Sequence, residues 1–210
     1  MLIVPELKAV FILVPRTGTG TLYREMRRVY PKSMLLYRHA EASLVPPGYD
    51  RWCKVGFVRH PLTRLRSLYH FMQTFGGGAQ VQDGAALADA KRVRRQVYGK
   101  TFEDWLLHNR EPWTVPFDLN GAGDYWPILF RANAAPENLL SQHAYLRPDL
   151  GTQVLRFQEL SQHMVTWGLN PEVRKNDTVT PPTLEGVSQK VLAHLNHYCE
   201  WDLAQGCSLL

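Results

Sequence analysis

Ala9-Val-Phe-Ile-Leu-Val-Pro-Arg-Thr-Gly-Thr-Gly-Thr21 is the stretch that decides the fold of this 210-residue chain. Its first six residues, 9–14, form an unbroken apolar run with β-branched side chains, which is typical of a parallel strand buried on both faces. Pro15 and two glycines interrupt the run, and apolar side chains then recur at helical spacing as far as about Tyr30. The stretch therefore predicts a strand, a tight turn and a helix.

The turn in this stretch carries groups that bind anions. Main-chain amides at a helix start point outward, and the helix dipole adds about half a positive charge there, so a phosphate-like group binds against them. Gly18 and Gly20 let the main chain approach such a group, and Arg16 supplies a permanent charge. Hydroxyl donors are present at Thr17, Thr19 and Thr21. Taken alone, the segment is equally consistent with an ordinary Gly/Thr turn.

A second segment, Lys54-Val-Gly-Phe-Val-Arg-His-Pro-Leu-Thr-Arg-Leu-Arg-Ser-Leu-Tyr69, repeats this layout. Its apolar start predicts another buried strand, and Pro61 stands where a helix can begin without the missing amide hydrogen. Arg59 follows the strand and Ser67 lies on a flank of the helix; taken singly, they are a surface charge and a surface hydroxyl. Ligands of α/β sheets bind beyond the carboxyl ends of the strands. The two segments together therefore predict two anion sites on one nucleotide.

The order of the predicted elements indicates the fold class. Strands are predicted at 9–14, 34–37, 54–58 and 153–157, and helices near 19–29, 61–75, 101–109, 158–168 and 184–199. This alternation predicts an α/β fold with a central parallel sheet flanked by helices on both faces. One domain over residues 1–210 is expected, because the length suits a single core and the Pro and Gly clusters are too local to form a linker.

The net charge limits the partners of the chain without identifying one. A formal charge of +5 and a pI near 9.2 suit a protein that handles polyanions, because the summed field concentrates anions near the surface. The basic cluster at 91–95 is typical of a solvated helix face. No recognisable module for reading a groove or stacking bases is present, so no nucleic-acid partner is expected. A non-catalytic nucleic-acid-binding protein is the alternative from another functional class.

The amino terminus and the cysteines indicate the compartment. Glu6 and Lys8 interrupt the apolar amino terminus, and the apolar run after them is far shorter than the ~20 residues that cross a bilayer. No membrane span is therefore expected. Cys53, Cys199 and Cys207 have an odd count and no metal-type spacing, which excludes a full disulfide framework. A soluble protein of the reducing cytoplasm is the simplest expectation.

The two segments together resemble the superfamily of sulfotransferases that use 3′-phosphoadenosine 5′-phosphosulfate (PAPS). In that family a Pro-Lys/Arg-Thr-Gly-rich turn binds the 5′-phosphosulfate, and a Phe-Val-Arg-x-Pro, x-x-Arg-x-x-Ser-x-Tyr block supplies an arginine and a serine to the 3′-phosphate. The resemblance implies a P-loop-like three-layer fold and adenosine 3′,5′-bisphosphate as the nucleotide product. The residues that it assigns to the nucleotide are Arg16, Thr17, Gly18, Thr19, Gly20 and Thr21 in the first segment and Arg59 and Ser67 in the second.

Weaker similarities point to the carbohydrate-type branch of that superfamily. They lie at 101–106, at 153–157, at 176–178 and from Tyr198 to Leu203, whereas 76–100 and 111–140 match no segment that we recognise. The resemblance favours a glycan hydroxyl as acceptor and leaves a phenol, a small metabolite and a peptide tyrosine open. Trp113, Tyr125 and Trp126 fall in a long loop, 112–131, that is expected to form a wall or lid over the acceptor, where these side chains either stack on the substrate or anchor the loop. Golgi members carry a membrane anchor, so the chain resembles a soluble bacterial or viral member, or one trimmed of its anchor.

The resemblance also implies catalytic roles. The family places lysine where this chain has Arg16. Arginine keeps the positive charge but cannot donate a proton near neutral pH. We therefore expect Arg16 to stabilise the leaving phosphate electrostatically. The acceptor hydroxyl must lose its proton during direct in-line transfer, and His39 is the expected general base. Glu41 is the nearest substitute, followed by His143 and Glu103. Sulfuryl transfer from PAPS needs no metal, and no set of side chains has convincing zinc-ligand spacing.

A small-molecule kinase of the P-loop type is the enzymatic alternative. Its phosphate-binding loop requires Gly-Lys-Ser/Thr after four intervening residues. Here Thr21 follows the last glycine directly, without a lysine. No second apolar strand ends in an aspartate that would hold magnesium. Both observations favour the sulfotransferase interpretation.

Overall fold

A computed structural model describes residues 1–36, 39–74, 95–108, 140–173 and 186–207 of the chain. Its centre is a five-stranded sheet in the order β3-β1-β2-β4-β5. The strands are β1 (Leu2–Val4), β2 (Ala9–Ile12), β3 (Met34–Leu35), β4 (Cys53–Val58) and β5 (Thr152–Arg156). The predicted strands at 34–37, 54–58 and 153–157 are found with small shifts, and the strand predicted at 9–14 ends two residues early.

The sheet is mostly parallel, with one antiparallel strand. β2, β4 and β5 pair in parallel, with Ile12 opposite Gly56. β1 pairs antiparallel with both β2 and β3, so the prediction of a parallel sheet was wrong for β1. A 3-10 turn at Pro5–Leu7 and a left-handed Lys8 (φ 47°) reverse the chain between β1 and β2. β1 has three residues, too few for a strand periodicity to be visible in the sequence.

The helices follow the predicted order. Those with both ends in the described residues are α1 (Thr19–Val29), α2 (Pro61–Thr74), α3 (Phe102–His108), α4 (His143–Leu146), α5 (Leu160–Thr166), α6 (Gln189–Tyr198) and α7 (Glu200–Ala204). α1 has the predicted bounds. The helix predicted at 158–168 begins with a 3-10 turn at Phe157–Glu159. The helix predicted at 184–199 begins later, where the Ser188 hydroxyl accepts a hydrogen bond from the Val191 amide, and a separate helix follows it.

Apolar side chains cover both faces of the sheet. Leu22 of α1 and Leu160 of α5 pack on one face, and Tyr145 and Leu146 of α4 pack on the other. Gly56 makes the second contact possible, because a Cβ there would lie 2.1 Å from Leu146 Cδ2. A third apolar cluster joins α2, α3 and α6 around fully buried side chains such as that of Trp105. The α/β fold with helices on both faces of the sheet is thus confirmed.

The thiols lie in different environments. Cys53 is exposed at the start of β4, whereas Cys199 and Cys207 are buried. Burial raises the pKa of the Cys199 thiol, and it raises that of Cys207 to about 11. All three are free cysteines. None of the described helices has the length and apolar character that a membrane crossing requires.

Candidate functional site

The carboxyl ends of β2 and β4 lie side by side because the two strands pair in parallel. After β2 the chain runs through residues 13–18 into α1, and after β4 it runs through Arg59 and His60 into α2. We call these connections the first turn (13–18) and the second turn (59–60). Arg16 and Arg59 therefore leave the sheet at the same edge, as predicted.

The main chain of the first turn has a shape that requires glycine. Arg16 and Gly18 both have left-handed φ values, 68° and 76°. The Thr17 hydroxyl donates to the Val14 carbonyl at 2.9 Å and is buried within the turn. A Cβ on Gly18 would lie 2.6 Å from Leu160 Cδ2 and 2.9 Å from a ring carbon of Phe157. The turn is thus seated directly on the chain that leads from β5 into α5.

The start of α1 lacks a side-chain cap. Gly18 stands at the capping position and offers no side-chain oxygen, and no acidic residue lies in the first turn of the helix. The first bond within the helix runs from the Leu22 amide to the Gly18 carbonyl at 3.0 Å. Thr19 and Gly20 are half-buried, and Thr21 is buried. The positive end of the helix dipole is therefore available for an anion.

The Arg16 side chain crosses from the first turn to α2. Its Nε and Nη2 atoms donate to Ser67 Oγ at 3.0 and 2.9 Å. The guanidinium carbon lies 4.9 Å from the centre of the Phe71 ring, a favourable cation–π distance. The structure thus joins a residue of the first predicted anion site directly to a residue of the second.

The Arg59 side chain lies against the first turn. Its Nη1 atom donates to the Arg16 carbonyl at 3.3 Å, and its Nε atom donates to the Thr63 hydroxyl at 3.0 Å. The guanidinium also lies over the Phe157 ring, 4.8 Å from its centre. Arg16, Arg59 and Ser67 are therefore brought together, although they come from separate parts of the chain.

The two arginines form a cationic pair. Within the described ranges, no carboxylate forms an ion pair with the guanidinium of Arg16 or of Arg59. Burial, with the charge of Arg59 as the smaller cause, lowers the pKa of Arg16 to about 10. Burial also lowers the pKa of Arg59, with the charge of Arg64 as the smaller cause. Two partly desolvated like charges favour the binding of an anion that neutralises them.

His39 lies beside the chain that enters the first turn. The side chain is buried, and its Nδ1 atom lies 2.7 Å from the Leu13 carbonyl oxygen. Because a carbonyl only accepts, Nδ1 carries the proton of this bond, and the neutral ring has its lone pair at Nε2. This is the tautomer that a general base acting through Nε2 requires.

The other candidate bases have different surroundings. Glu41 is fully buried, accepts a hydrogen bond from Ser43 Oγ and lies 3.7 Å from Arg147 Nη1. His143 lies on α4, where its ring packs edge-on against Trp201 at 5.1 Å. Glu103 lies on α3. Glu41 is thus engaged by Arg147, whose guanidinium also pairs with Asp149.

Gln142 was missed by the sequence analysis. Its side chain binds both main-chain polar groups of Arg59, accepting from the amide at 2.9 Å and donating to the carbonyl at 2.6 Å. The residue follows a segment that matched no recognised pattern, so the sequence carried no signal for it. The residues on either side of it in the chain, Ser141 and His143, line an open cavity of about 390 Å³ together with Ala144, His197, Tyr198, Glu200 and Trp201.

Several sequence predictions lie outside the described residues. These are the loop at 112–131 with its aromatic residues, the basic cluster at 91–94 and the turn at 176–178. In the described part of the chain, no group of three or more His, Cys, Asp or Glu side chains is arranged to hold a metal ion. The candidate site is thus built from cations, hydroxyls, main-chain amides and one histidine.

Comparisons with known proteins place the chain in no family. No family model, no curated protein and no solved structure matches it. The function therefore has to be inferred from the chemistry of these residues and from their geometry.

Proposed function

We propose that this protein is a sulfotransferase that uses PAPS as donor and transfers a sulfuryl group to an acceptor hydroxyl. One observation carries the proposal: Arg16, Arg59 and Ser67 converge from two chain segments on one cationic site at the carboxyl edge of parallel strands. The resemblance of the sequence to the PAPS-dependent superfamily assigns these same residues to the nucleotide. A P-loop-like arrangement of the first turn and α1 is part of the proposal.

The site fits the chemistry of a nucleotide with phosphate groups at both ends. Arg59 and Ser67 offer a guanidinium and a hydroxyl for the 3′-phosphate, and the start of α1 offers main-chain amides for the 5′-phosphosulfate. The Thr17 hydroxyl donates to the Val14 carbonyl and helps to fix the first turn. Residues 18–21 line the proposed binding site of the 5′-phosphosulfate. Arg16 donates two bonds to Ser67, so its proposed role at the 5′ end requires that it release Ser67 when the nucleotide binds.

Arg16 is the proposed electrostatic catalyst. When bound, PAPS supplies a sulfuryl group whose S–O bond to the 5′-phosphate breaks as the new S–O bond to the acceptor forms. Negative charge grows on the departing phosphate oxygen, and a preorganised guanidinium lowers the free energy of that state more than that of the reactants. Because Arg16 keeps its proton near neutral pH, it stabilises this charge and does not donate a proton.

His39 is the proposed general base. Its Nε2 lone pair accepts the proton of the acceptor hydroxyl as the oxygen attacks sulfur. The Leu13 carbonyl, which accepts from Nδ1, holds the ring orientation and favours the imidazolium that forms. We propose a glycan hydroxyl as acceptor and the cytoplasm as the compartment, the latter because of the odd number of free cysteines.

Thermal unfolding with nucleotides tests the proposal. Adenosine 3′,5′-bisphosphate at micromolar concentration and without magnesium is expected to raise the Tm, because a ligand that binds only the native state stabilises it. ATP with magnesium is the control for a kinase, and a single-stranded oligonucleotide in low and high salt is the control for a nucleic-acid-binding protein. A Tm shift with either control and none with the bisphosphate would overturn the proposal.

Transfer of label from ³⁵S-labelled PAPS to a panel of acceptors tests the reaction itself. Glycans, phenols, small hydroxylated metabolites and tyrosine peptides form the panel. Label in one acceptor class, dependent on the protein and insensitive to a chelator, is the expected result. Binding of the bisphosphate without transfer to any class would restrict the proposal to nucleotide binding.

A further inference from the structure

The main chain at Arg59 lies outside the regular hydrogen bonding of the fold. β4 ends at Val58, which is paired with Arg156, and α2 begins at Pro61. The amide and the carbonyl of Arg59 therefore need partners beyond the strand ladder, because unpaired main-chain groups are costly away from water. The Gln142 side chain binds both, at 2.9 and 2.6 Å, and is itself fully buried.

A primary amide suits this position because it carries one donor end and one acceptor end. It pairs with the peptide of Arg59 much as a neighbouring strand would. These two bonds fix the main chain from which the Arg59 guanidinium extends over Phe157 and toward the first turn. Gln142 thus acts on the candidate site through Arg59 and not through contact with a ligand.

The segment that carries Gln142 is itself held in place. Asp202 of α7 is fully buried. Its carboxylate accepts hydrogen bonds from the main-chain amide of Gln142 at 2.9 and 3.1 Å and from the Ser141 hydroxyl at 2.9 Å. Arg64 of α2, also fully buried, donates to the Leu140 carbonyl. A continuous set of hydrogen bonds therefore leads from α7 through Gln142 to the main chain of Arg59.

We propose that Gln142 is a positioning residue that aims Arg59 at the 3′-phosphate and thereby sets the preference of the site for a 3′-phosphorylated nucleotide. Asp202 fixes Gln142 and makes α7 part of the support of the site. The inference rests on the proposed function, since it takes the ligand of Arg59 to be the 3′-phosphate. It adds a determinant of specificity that lies 83 residues away from Arg59 in the chain.

The test compares two nucleotides by isothermal titration. The dissociation constants of adenosine 3′,5′-bisphosphate and adenosine 5′-phosphate are measured for the unaltered protein, Gln142→Met, Arg59→Ala and the double variant. Gln142→Met keeps the side-chain length and removes both hydrogen bonds. We expect it to reduce the preference for the bisphosphate about fivefold or more. In the double variant it should add less than about twofold to the effect of Arg59→Ala, because it acts through that residue.

Two further variants separate positioning from a general loss of stability. Tyr30→Phe removes a remote long-range hydrogen bond, from the Tyr30 hydroxyl to the Trp167 carbonyl at 2.8 Å. It is expected to lower the Tm and leave the nucleotide preference unchanged. Gln142→Asn keeps the amide but is too short to reach both groups of Arg59, so it should reduce the preference even if Gln142→Met does not fold.

The outcomes distinguish this inference from the proposed function. Equal affinity of the unaltered protein for the two nucleotides would overturn the proposed 3′-phosphate site and the inference with it. A preference that is lost in Arg59→Ala and retained in a folded Gln142 variant would overturn the inference alone. Independent, additive effects of Gln142→Met and Arg59→Ala would also overturn it.

Discussion

The two turns that carry the arginines are supported in different ways. The first turn takes its shape from its own main chain, with Arg16 and Gly18 in left-handed conformations, and is seated on Phe157 and Leu160. The second turn has no left-handed residue, and the side chain of Gln142 binds both main-chain polar groups of Arg59. Local sequence motifs thus supply the proposed ligand-binding groups, whereas residues remote in sequence supply much of the geometry.

The proposed chemistry follows the same division. The first turn and its neighbour His39 would carry the reaction, and the second turn with Ser67 would hold the nucleotide. Variants in the first turn should therefore change turnover or folding, with or without a change in affinity, and variants in the second should change affinity alone. Four predictions test this contrast, beginning with the variant that should have the strongest effect.

His39→Gln tests whether the chemistry lies at the first turn. Removing a general base typically slows the chemical step about 10²- to 10⁴-fold, and we expect a loss of kcat in this range with little change in bisphosphate affinity. Transfer of ³⁵S label and isothermal titration measure the two quantities. Glu41→Gln is the comparison, although removal of the partner of Arg147 also costs stability. Turnover that persists in His39→Gln and disappears in a folded Glu41→Gln would move the base to Glu41.

Gly18→Ala tests whether the first turn is fixed by its main chain. The left-handed φ and the overlap with Leu160 and Phe157 are expected to lower the free energy of unfolding by about 2–5 kcal/mol. Gly151→Ala is the matched control, because Gly151 has φ 77° but nothing within 4 Å of the added Cβ. It should cost about 1 kcal/mol. Urea unfolding measures both variants. Equal losses of unfolding free energy in Gly18→Ala and Gly151→Ala would mean that the contact of the first turn with Phe157 and Leu160 contributes nothing.

The sequence predicted those parts of the fold whose signals are local. The bounds of α1 were predicted correctly, because the glycines stop the apolar run and helical spacing follows at once. β1 was not predicted, since a strand of three residues is too short to show a periodicity. The proximity of Arg16 and Arg59 follows from parallel pairing of β2 and β4, whereas their roles at a nucleotide stay a prediction. The role of Gln142 could not be predicted, because no local sequence pattern marks a side-chain amide that binds a main chain distant in sequence.

Arg59→Ala and Arg16→Ala test whether the two turns have different roles in binding. Each loses charge-assisted hydrogen bonds to a phosphate, which corresponds to roughly a 10- to 100-fold loss of affinity for the bisphosphate. Arg59→Ala should remove the preference over adenosine 5′-phosphate, while Arg16→Ala should weaken both nucleotides and also slow turnover. Isothermal titration measures both. If the two variants had the same profile, the proposed division between the turns would be wrong.

The pH dependence of binding provides the smallest effect. Arg16, with its pKa lowered to about 10, is charged at neutral pH and loses its proton as the pH rises through that value. A phosphate binds the charged form better, so we expect a constant bisphosphate affinity from about pH 7 to 9 and a loss of a few fold by about pH 10.5. Arg59→Ala removes a neighbouring positive charge, so the decline should move to higher pH. A decline that starts near pH 7 would contradict this assignment.

The exposed thiol of Cys53 is a site for selective labelling and surface attachment in these binding measurements. It lies at the start of β4, and Arg59 follows the other end of that strand, about 17 Å away along a rigid element. The remaining two thiols are buried, so a maleimide dye attaches selectively at Cys53. The same position serves to tether the protein to a sensor surface with the carboxyl ends of the parallel strands facing the solution.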